Sequence, residues 1–420
     1  MIFRVYEIRT LGKLYICFTG YYKNKNTFQQ ILGKRKSAKW GDKYMSKNIE
    51  NVIINSSSKV SIEEIAKRAV PQISVLGIGG AGCNIVSWMK GKGVSGARIY
   101  ALNSDAQHLS ITKADERLLI GYKITGGLGC GGFPEQGAKA AEESAEEIEK
   151  IVSDSGLVFI TAGLGGGTGT GAAPVVARIA KEVGALTIGV VTTPFQVERA
   201  RLIKAKEGLK RLVDECDAVI VIDNNRLRRV AGSLPLAEAF AVANELIATF
   251  IKNISETISI PSLVNMDFAD LKAIMTGSGV CAIGFGEGQG DTKVEDSVER
   301  ALDTPLLDIG DIRKAEGALV HIEGGDDMTL EDVNRAGEIV IERIAPNARV
   351  SWGARVNSAM QGSMKATVVL AGVDSPFLVE GLKPFASLKR EPEGEAEEVE
   401  VIEQPSEREE RKGLFRRFFG

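Results

Sequence analysis

The sequence predicts an α/β protein in which a mostly parallel sheet, covered on both faces by helices, is joined by one long helix to a smaller α+β region. Three observations lead there. Short apolar runs alternate with segments of helical period between residues 72 and 260. Glycine-rich turns interrupt this alternation. After Ile260-Pro261 the rhythm changes, and adjacent strands replace the strict alternation.

The elements run in order as follows. ISVLGIG reads as a strand, followed by a turn and the helix NIVSWMKGK; ARIYALN and RLLIG are the next strands. One long helix is expected over PEQGAKAAEESAEEIEKIV, then the strand LVFITAG and the helix AAPVVARIAKEV. ALTIGVVT, the helical RARLIKAKEGLKRLVDE and the strand AVIVID complete the first region, residues 71–234. PLAEAFAVANELIATFIKNISETI keeps a helical period for more than twenty residues and forms the joint, 235–260. The second region, 261–375, holds helices near ADLKAIM, VEDSVERAL and LEDVNRAGEIVIERI, with strands at CAIGFGEG, ALVHIEGG, VSWGARV and KATVVLAGV.

Composition narrows the function. The 420 residues are 44% hydrophobic, enough to bury a large core. A net charge of -3 lacks the basic footprint of a nucleic-acid binder. Five scattered cysteines without a C-x-x-C pair, and two histidines, fit neither a zinc nor a disulfide framework, so a reduced, cytoplasmic protein is expected. No apolar run is long enough to span a bilayer. Residues 1–70 read as a basic, irregular extension, with translation expected to start at Met45. Residues 389–412, rich in Glu, Pro and Arg, read as a flexible acidic tether carrying the sticky tip GLFRRFFG, 413–420.

The glycine turns carry the chemistry. A turn without β-carbons lets backbone N–H groups approach phosphate oxygens, and the helix N-terminus behind it adds partial positive charge. GIGGAGCN (77–84) and GGGTGTG (165–171) are such turns, and GGLGCGGFP (126–134) is a third glycine-rich loop. The pattern at 77–82 alone also fits a dinucleotide-binding oxidoreductase or simple close packing. GGGTGTG has no place in that fingerprint, and no G-x-x-x-x-G-K-[ST] loop occurs. Several cradles without a P-loop lysine imply a triphosphate held by backbone amides and a metal ion.

GIGGAGCN, ALNSDAQ (101–107), GGLGCGGFPEQG, GGGTGTGAAP, TTPFQVER and VNMDFAD (264–270) occur in this order, and the set closely resembles the FtsZ family, the tubulin-like GTPases of the cell-division ring. The match runs from about residue 72 to 373. The resemblance implies GTP and Mg²⁺ as ligands, with phosphate contacts at Gly79, Gly80, Ala81, Gly82, Cys83, Asn84, Gly167, Thr168 and Gly169. It places Asp105 in the loop facing the γ-phosphate and its Mg²⁺, Glu198 at the ribose, Arg201 beside the phosphates, Asn224 and Asn244 at guanine, and Phe240 stacking on the base. Two departures stand out: Asn244 where the family often has Asp, and TTPFQVERARL one residue shorter than the common pattern.

Asp267 and Asp270 project from one side of a predicted helix start, where acids also serve as plain N-caps. The resemblance implies that these two carboxylates are catalytic, acting on GTP bound by the next subunit of a head-to-tail homopolymer. Their joint presence argues against a scaffold with little turnover. It further implies a midcell ring, with the terminal peptide docking on a membrane-bound division adaptor.

Overall fold

The computed structural model describes residues 5–10, 13–18, 71–226, 235–259, 267–303, 306 and 311–374. The expected start at Met45, the tether 389–412 and the terminal peptide 413–420 lie outside them. The chain divides into two compact units, 1–69 and 70–420.

The first unit holds an antiparallel pair, β1 (Val5–Thr10) and β2 (Lys13–Phe18). This corrects the expectation of an irregular extension at these residues. VYEIRT and KLYICF are rich in β-formers, and a two-residue separation matches the spacing of a short hairpin.

The second unit is built on ten strands. They are β3 (Gln72–Ile78), β4 (Ala97–Asn103), β5 (Glu116–Leu119), β6 (Ser155–Gly163), β7 (Leu186–Thr193), β8 (Ala218–Asp223), β9 (Gly279–Gln289), β10 (Gly317–Gly324), β11 (Arg349–Val356) and β12 (Ser363–Ala371). They form one sheet in the order β11-β10-β12-β9-β8-β7-β6-β3-β4-β5. From β5 to β9 every pair is parallel; β12 runs antiparallel to both β9 and β10. The two expected regions are thus joined by more than the long helix, because β8 and β9 pair through Ala218–Gly279, Val219–Val280 and Ile220–Cys281.

The helices among the described residues are α1 (Gly79–Gly91), α2 (Ala106–Ile111), α3 (Tyr122–Thr125), α4 (Pro134–Glu143), α5 (Ala145–Val152), α6 (Thr168–Glu182), α7 (Arg199–Glu215), α8 (Leu236–Ser259), α9 (Phe268–Met275), α10 (Lys293–Asp303) and α11 (Leu330–Arg343). The single long helix expected from Pro134 is broken into α4 and α5. Ser144 leaves helical geometry (φ -104°, ψ 22°), and its buried hydroxyl accepts the Gly121 N–H at 3.3 Å. That tertiary bond overrides a run of good helix formers.

Both sheet faces are covered, as parallel strands require. Leu76, Ile78, Val158, Ile160, Val219 and Val221 pack on one side with Val176 of α6 and Leu209 of α7. Val75, Leu157, Phe159 and Ile220 pack on the other with Val86 of α1 and Phe250 of α8. Phe159 and Phe250 meet edge to face at 6.2 Å. The joint helix is tied on both flanks: Trp88 Nε1 donates to Glu245 at 2.6 Å, and the mostly buried Glu256 accepts from Ser95 Oγ and pairs with Arg355 of β11.

Chain order places the site. From β3 the chain steps outward through β4 to β5, then returns to β6 on the other side and steps through β7 to β8. The order therefore reverses between β3 and β6, and a sheet of this kind opens a crevice at the carboxyl ends of such strands.

Candidate nucleotide site

A cavity of about 530 Å³ lies at that switch point, within the range of small-molecule sites. Its floor is the two glycine turns. GIGGAGCN leads from β3 into α1, which starts at Gly79 itself, and GGGTGTG leads from β6 into α6, which starts at Thr168. Of the expected phosphate contacts, Gly80, Ala81, Asn84, Gly167, Thr168 and Gly169 line the cavity. A Cβ on Gly80 would meet nothing within 4 Å.

Gly79, Gly82 and Cys83 do not line it. Gly79 sits at φ +70°, with its Cβ direction 2.8 Å from Gly169 N, so it seats the two turns against each other. A side chain on Gly82 would collide with Thr161 O of β6, so this glycine serves helix-on-strand contact. Cys83 is fully buried with Sγ near Gly77 O and Leu102 O, and burial pushes its thiol up to about 12.

The two helix ends facing the cavity lack the side-chain caps that α2, α9 and α11 carry, a lack they share with α3, α4, α5 and α7. Thr329 and Asp332 form a capping box on α11, Asp105 caps α2 through His108 N–H at 3.0 Å, and Asp267 caps α9 through Ala269 N–H at 3.1 Å. Neither α1 nor α6 has a side-chain cap, and neither carries an acid in its first turn. Two uncapped N-termini therefore present free N–H groups and uncompensated positive dipole ends to one space, an arrangement suited to an anion.

The opposite wall comes from the loop after β7 and from α8. Glu198 precedes α7; its Oε1 accepts Phe195 N–H at 3.1 Å and its Oε2 pairs with Arg201 at 2.8 Å. Both line the cavity, as do Asn224, Phe240 and Asn244. Phe240 is 42% exposed and meets Phe195 edge to face at 6.1 Å. Asn224 Oδ1 is buried without a hydrogen-bond partner. An orphaned acceptor of this kind costs about 1–3 kcal/mol unless a ligand donates to it, and the N–H edge of a base is such a donor.

Sequence reasoning assigned no role to Phe195, Pro194, Thr192 or Thr193, although all four line the cavity. Their signal was the TTPF quartet at the carboxyl end of a strand. Asp105, Asp267 and Asp270 do not line it. Asp105 follows Ser104, whose hydroxyl lies 2.7 Å from Thr168 Oγ1, so its loop adjoins the phosphate turn. Asp267 and Asp270 are exposed at the start of α9, and within this chain they serve as N-cap and first-turn acid.

Known proteins carry the same layout. The family model described as "Tubulin/FtsZ family, GTPase domain" matches residues 72–232, and "FtsZ family, C-terminal domain" matches 279–374. Cell division protein FtsZ 2 of Methanocaldococcus jannaschii is 49% identical over 312 residues, 73% of this chain and 82% of that protein. Cell division protein FtsZ 1 of Archaeoglobus fulgidus is 48% identical over 308 residues, covering 73% and 83%. Among solved structures, an empty FtsZ dimer of M. jannaschii superposes with a TM-score of 0.71 at 42% identity, over 80% of this chain and all of that one. CetZ2 of Haloferax volcanii, a GTPγS-bound protofilament, follows at TM-score 0.63 and 25% identity, over 73% and 95%. The chain belongs to the tubulin/FtsZ family, among the FtsZ cell-division GTPases.

Proposed function

We propose that this GTPase holds GTP in the switch-point cavity, polymerises head-to-tail, and hydrolyses the nucleotide only where one subunit's glycine turns meet the next subunit's α9. The observation that carries the reading is the pair of uncapped helix N-termini converging on one cavity, set against an acidic pair that lies outside it. In this reading the amides of α1 and α6 take the phosphates, Glu198 the ribose, and Asn224 and Asn244 the base edge, with Phe240 stacked on its face. The dimer and protofilament reported for the related structures support self-association of this kind.

Mg²⁺ fits the reading in a limited way. No group of three or more His, Cys, Asp or Glu is placed to hold a metal ion among the described residues, so the ion would be held mainly by phosphate oxygens and water, with Asp105 as the nearby carboxylate. When bound, it neutralises charge on the phosphates. The remaining work falls to the chain. Backbone N–H groups of the two turns stabilise negative charge as it develops. Asp267, with Asp270 beside it, orients the attacking water and accepts its proton from across the junction. The terminal peptide, with Leu414, Phe415, Phe418 and Phe419 as anchors, docks on a membrane-bound adaptor and holds the filaments at a midcell ring in the cytoplasm.

Asp267→Ala tests this. It should bind GTP and polymerise, because its phosphate turns are intact, yet hydrolyse very slowly. Mixed with wild type at fixed total concentration, it should depress phosphate release more steeply than dilution. A strictly linear dependence on wild-type fraction, with copolymers confirmed by sedimentation, would rule out catalysis across the junction.

A further inference from the structure

One buried hydroxyl touches both the GGGTGTG turn and the third glycine loop. Ser104, fully buried at the end of β4, has its Oγ 2.7 Å from Thr168 Oγ1 on the GGGTGTG turn and 3.2 Å from Cys130 Sγ on the third glycine loop. Its carbonyl accepts Gly129 N–H at 3.1 Å from that third loop. The fit is tight: a Cβ on Gly167 would lie 2.8 Å from Cys130 Cβ and 3.0 Å from Phe133 N.

Donor accounting gives the cluster a direction. A serine hydroxyl has one proton, and a thiol is a weak donor and a weak acceptor. If Thr168 donates to Ser104, the Ser104 proton is left for sulfur or goes unpaired, and Thr168 turns a lone pair toward the cavity. If instead Cys130 donates to Ser104 and Ser104 donates to Thr168, the Thr168 proton is free to point into the cavity that this residue lines. An anionic oxygen there selects the second polarity, because it repels a lone pair and accepts a proton. Aligned hydrogen bonds in such a chain also strengthen one another.

We propose that Ser104 is a positioning residue for GTP, its hydroxyl held between Cys130 and Thr168 so that the Thr168 hydroxyl donates to a phosphate oxygen. This rests on the placement of phosphates at the two glycine turns. It adds a residue that never touches the nucleotide yet ties the third loop to the turn that does.

The test is a double-substitution cycle on the full chain, read as GTP affinity by competition with a fluorescent GTP analogue below the concentration at which filaments form. Ser104→Ala should weaken GTP about tenfold, the loss of alignment of one hydrogen bond to a charged group. Ser104→Thr, which keeps the hydroxyl, should stay within about twofold of wild type. Thr168→Val should weaken binding by a similar factor, and adding Ser104→Ala to it should change nothing further. If the two losses multiply in the double variant, Ser104 acts elsewhere and the proposal is overturned. If Thr168→Val alone binds GTP as wild type does, the placement of the phosphates fails and the proposal with it. Should Ser104→Ala not fold, Ser104→Cys keeps the shape with a weak donor; wild-type affinity in that variant overturns the proposal, and a loss that vanishes in the Thr168→Val background supports it.

Discussion

The cavity turns and the GFGEG stretch of strand β9 are both rich in glycine, but only the turns also hold glycines that nothing in the protein crowds. In the turns, Gly80 and Gly166 face open space, with nothing within 4 Å of a built Cβ. In β9, GFGEGQG places Gly284, Gly286 and Gly288 on one face, where a Cβ would be driven into Ala301 O, Ser297 O and Lys293 O of α10. There the bare face lets a helix backbone lie directly on a strand. A glycine run in sequence therefore marks close approach, and only its surroundings tell whether a ligand or the protein itself approaches.

Substitution should separate the two uses. The largest effect is expected at Gly286→Ala, whose new methyl meets backbone on α10 that has no side-chain freedom to yield. Urea unfolding should show a loss of about 3 kcal/mol. An unchanged midpoint would mean that α10 shifts freely and that the β9 glycines are not packing glycines.

Acid should sharpen the contrast next. His321 on β10 is buried, and desolvation lowers its pKa from 6.5 to about 4, against the pull of Glu323 and Glu256 and with the push of Arg355. Below about pH 6.5 the unfolded chain takes up a proton that the folded chain refuses until about pH 4. Stability should therefore fall across that window by on the order of 3 kcal/mol and level off below it. His321→Gln should remove this component from a plot of urea midpoint against pH; an unaltered slope would place the acid sensitivity elsewhere. In the turn region, the raised Cys83 thiol stays protonated throughout the same window.

The smallest stability change belongs to Gly80→Ala. The methyl has room, and alanine in place of glycine in a helix gains up to about 1 kcal/mol, so unfolding should be unchanged or slightly harder. GTP affinity should nevertheless fall about tenfold, since the methyl occupies space from which the amides reach phosphate. Unchanged affinity would show that Gly80 faces an unused part of the cavity.

Much of this was legible in the sequence because it is local. Apolar runs such as AVIVID and the turns at 77–84 and 165–171 announce strands, helix starts and the floor of the cavity without reference to anything distant. What escaped depends on partners far along the chain. The break at Ser144 needs the N–H of Gly121, the β9 glycines need the backbone of α10, and Phe195 acquires its place only when α8 brings Phe240 beside it. The β1–β2 pair was hidden differently, by the basic, irregular sequence that follows two short β-rich runs. Asp267 shows the converse: the position at a helix start was readable, but within one chain it is only a cap.

The three-pair seam between β8 and β9 also has a consequence for biogenesis. Strands β3 to β8 are complete in the first 223 residues, whereas β9 begins at Gly279. At about 5–20 residues per second, the ribosome needs roughly 3–11 s to deliver the partner of β8. During that interval a finished parallel sheet carries an open apolar edge, AVIVID, on a nascent chain. Neighbouring chains on one polysome would offer the same edge to each other, so exposure to edge-to-edge association should be greatest in the interval before β9 is delivered.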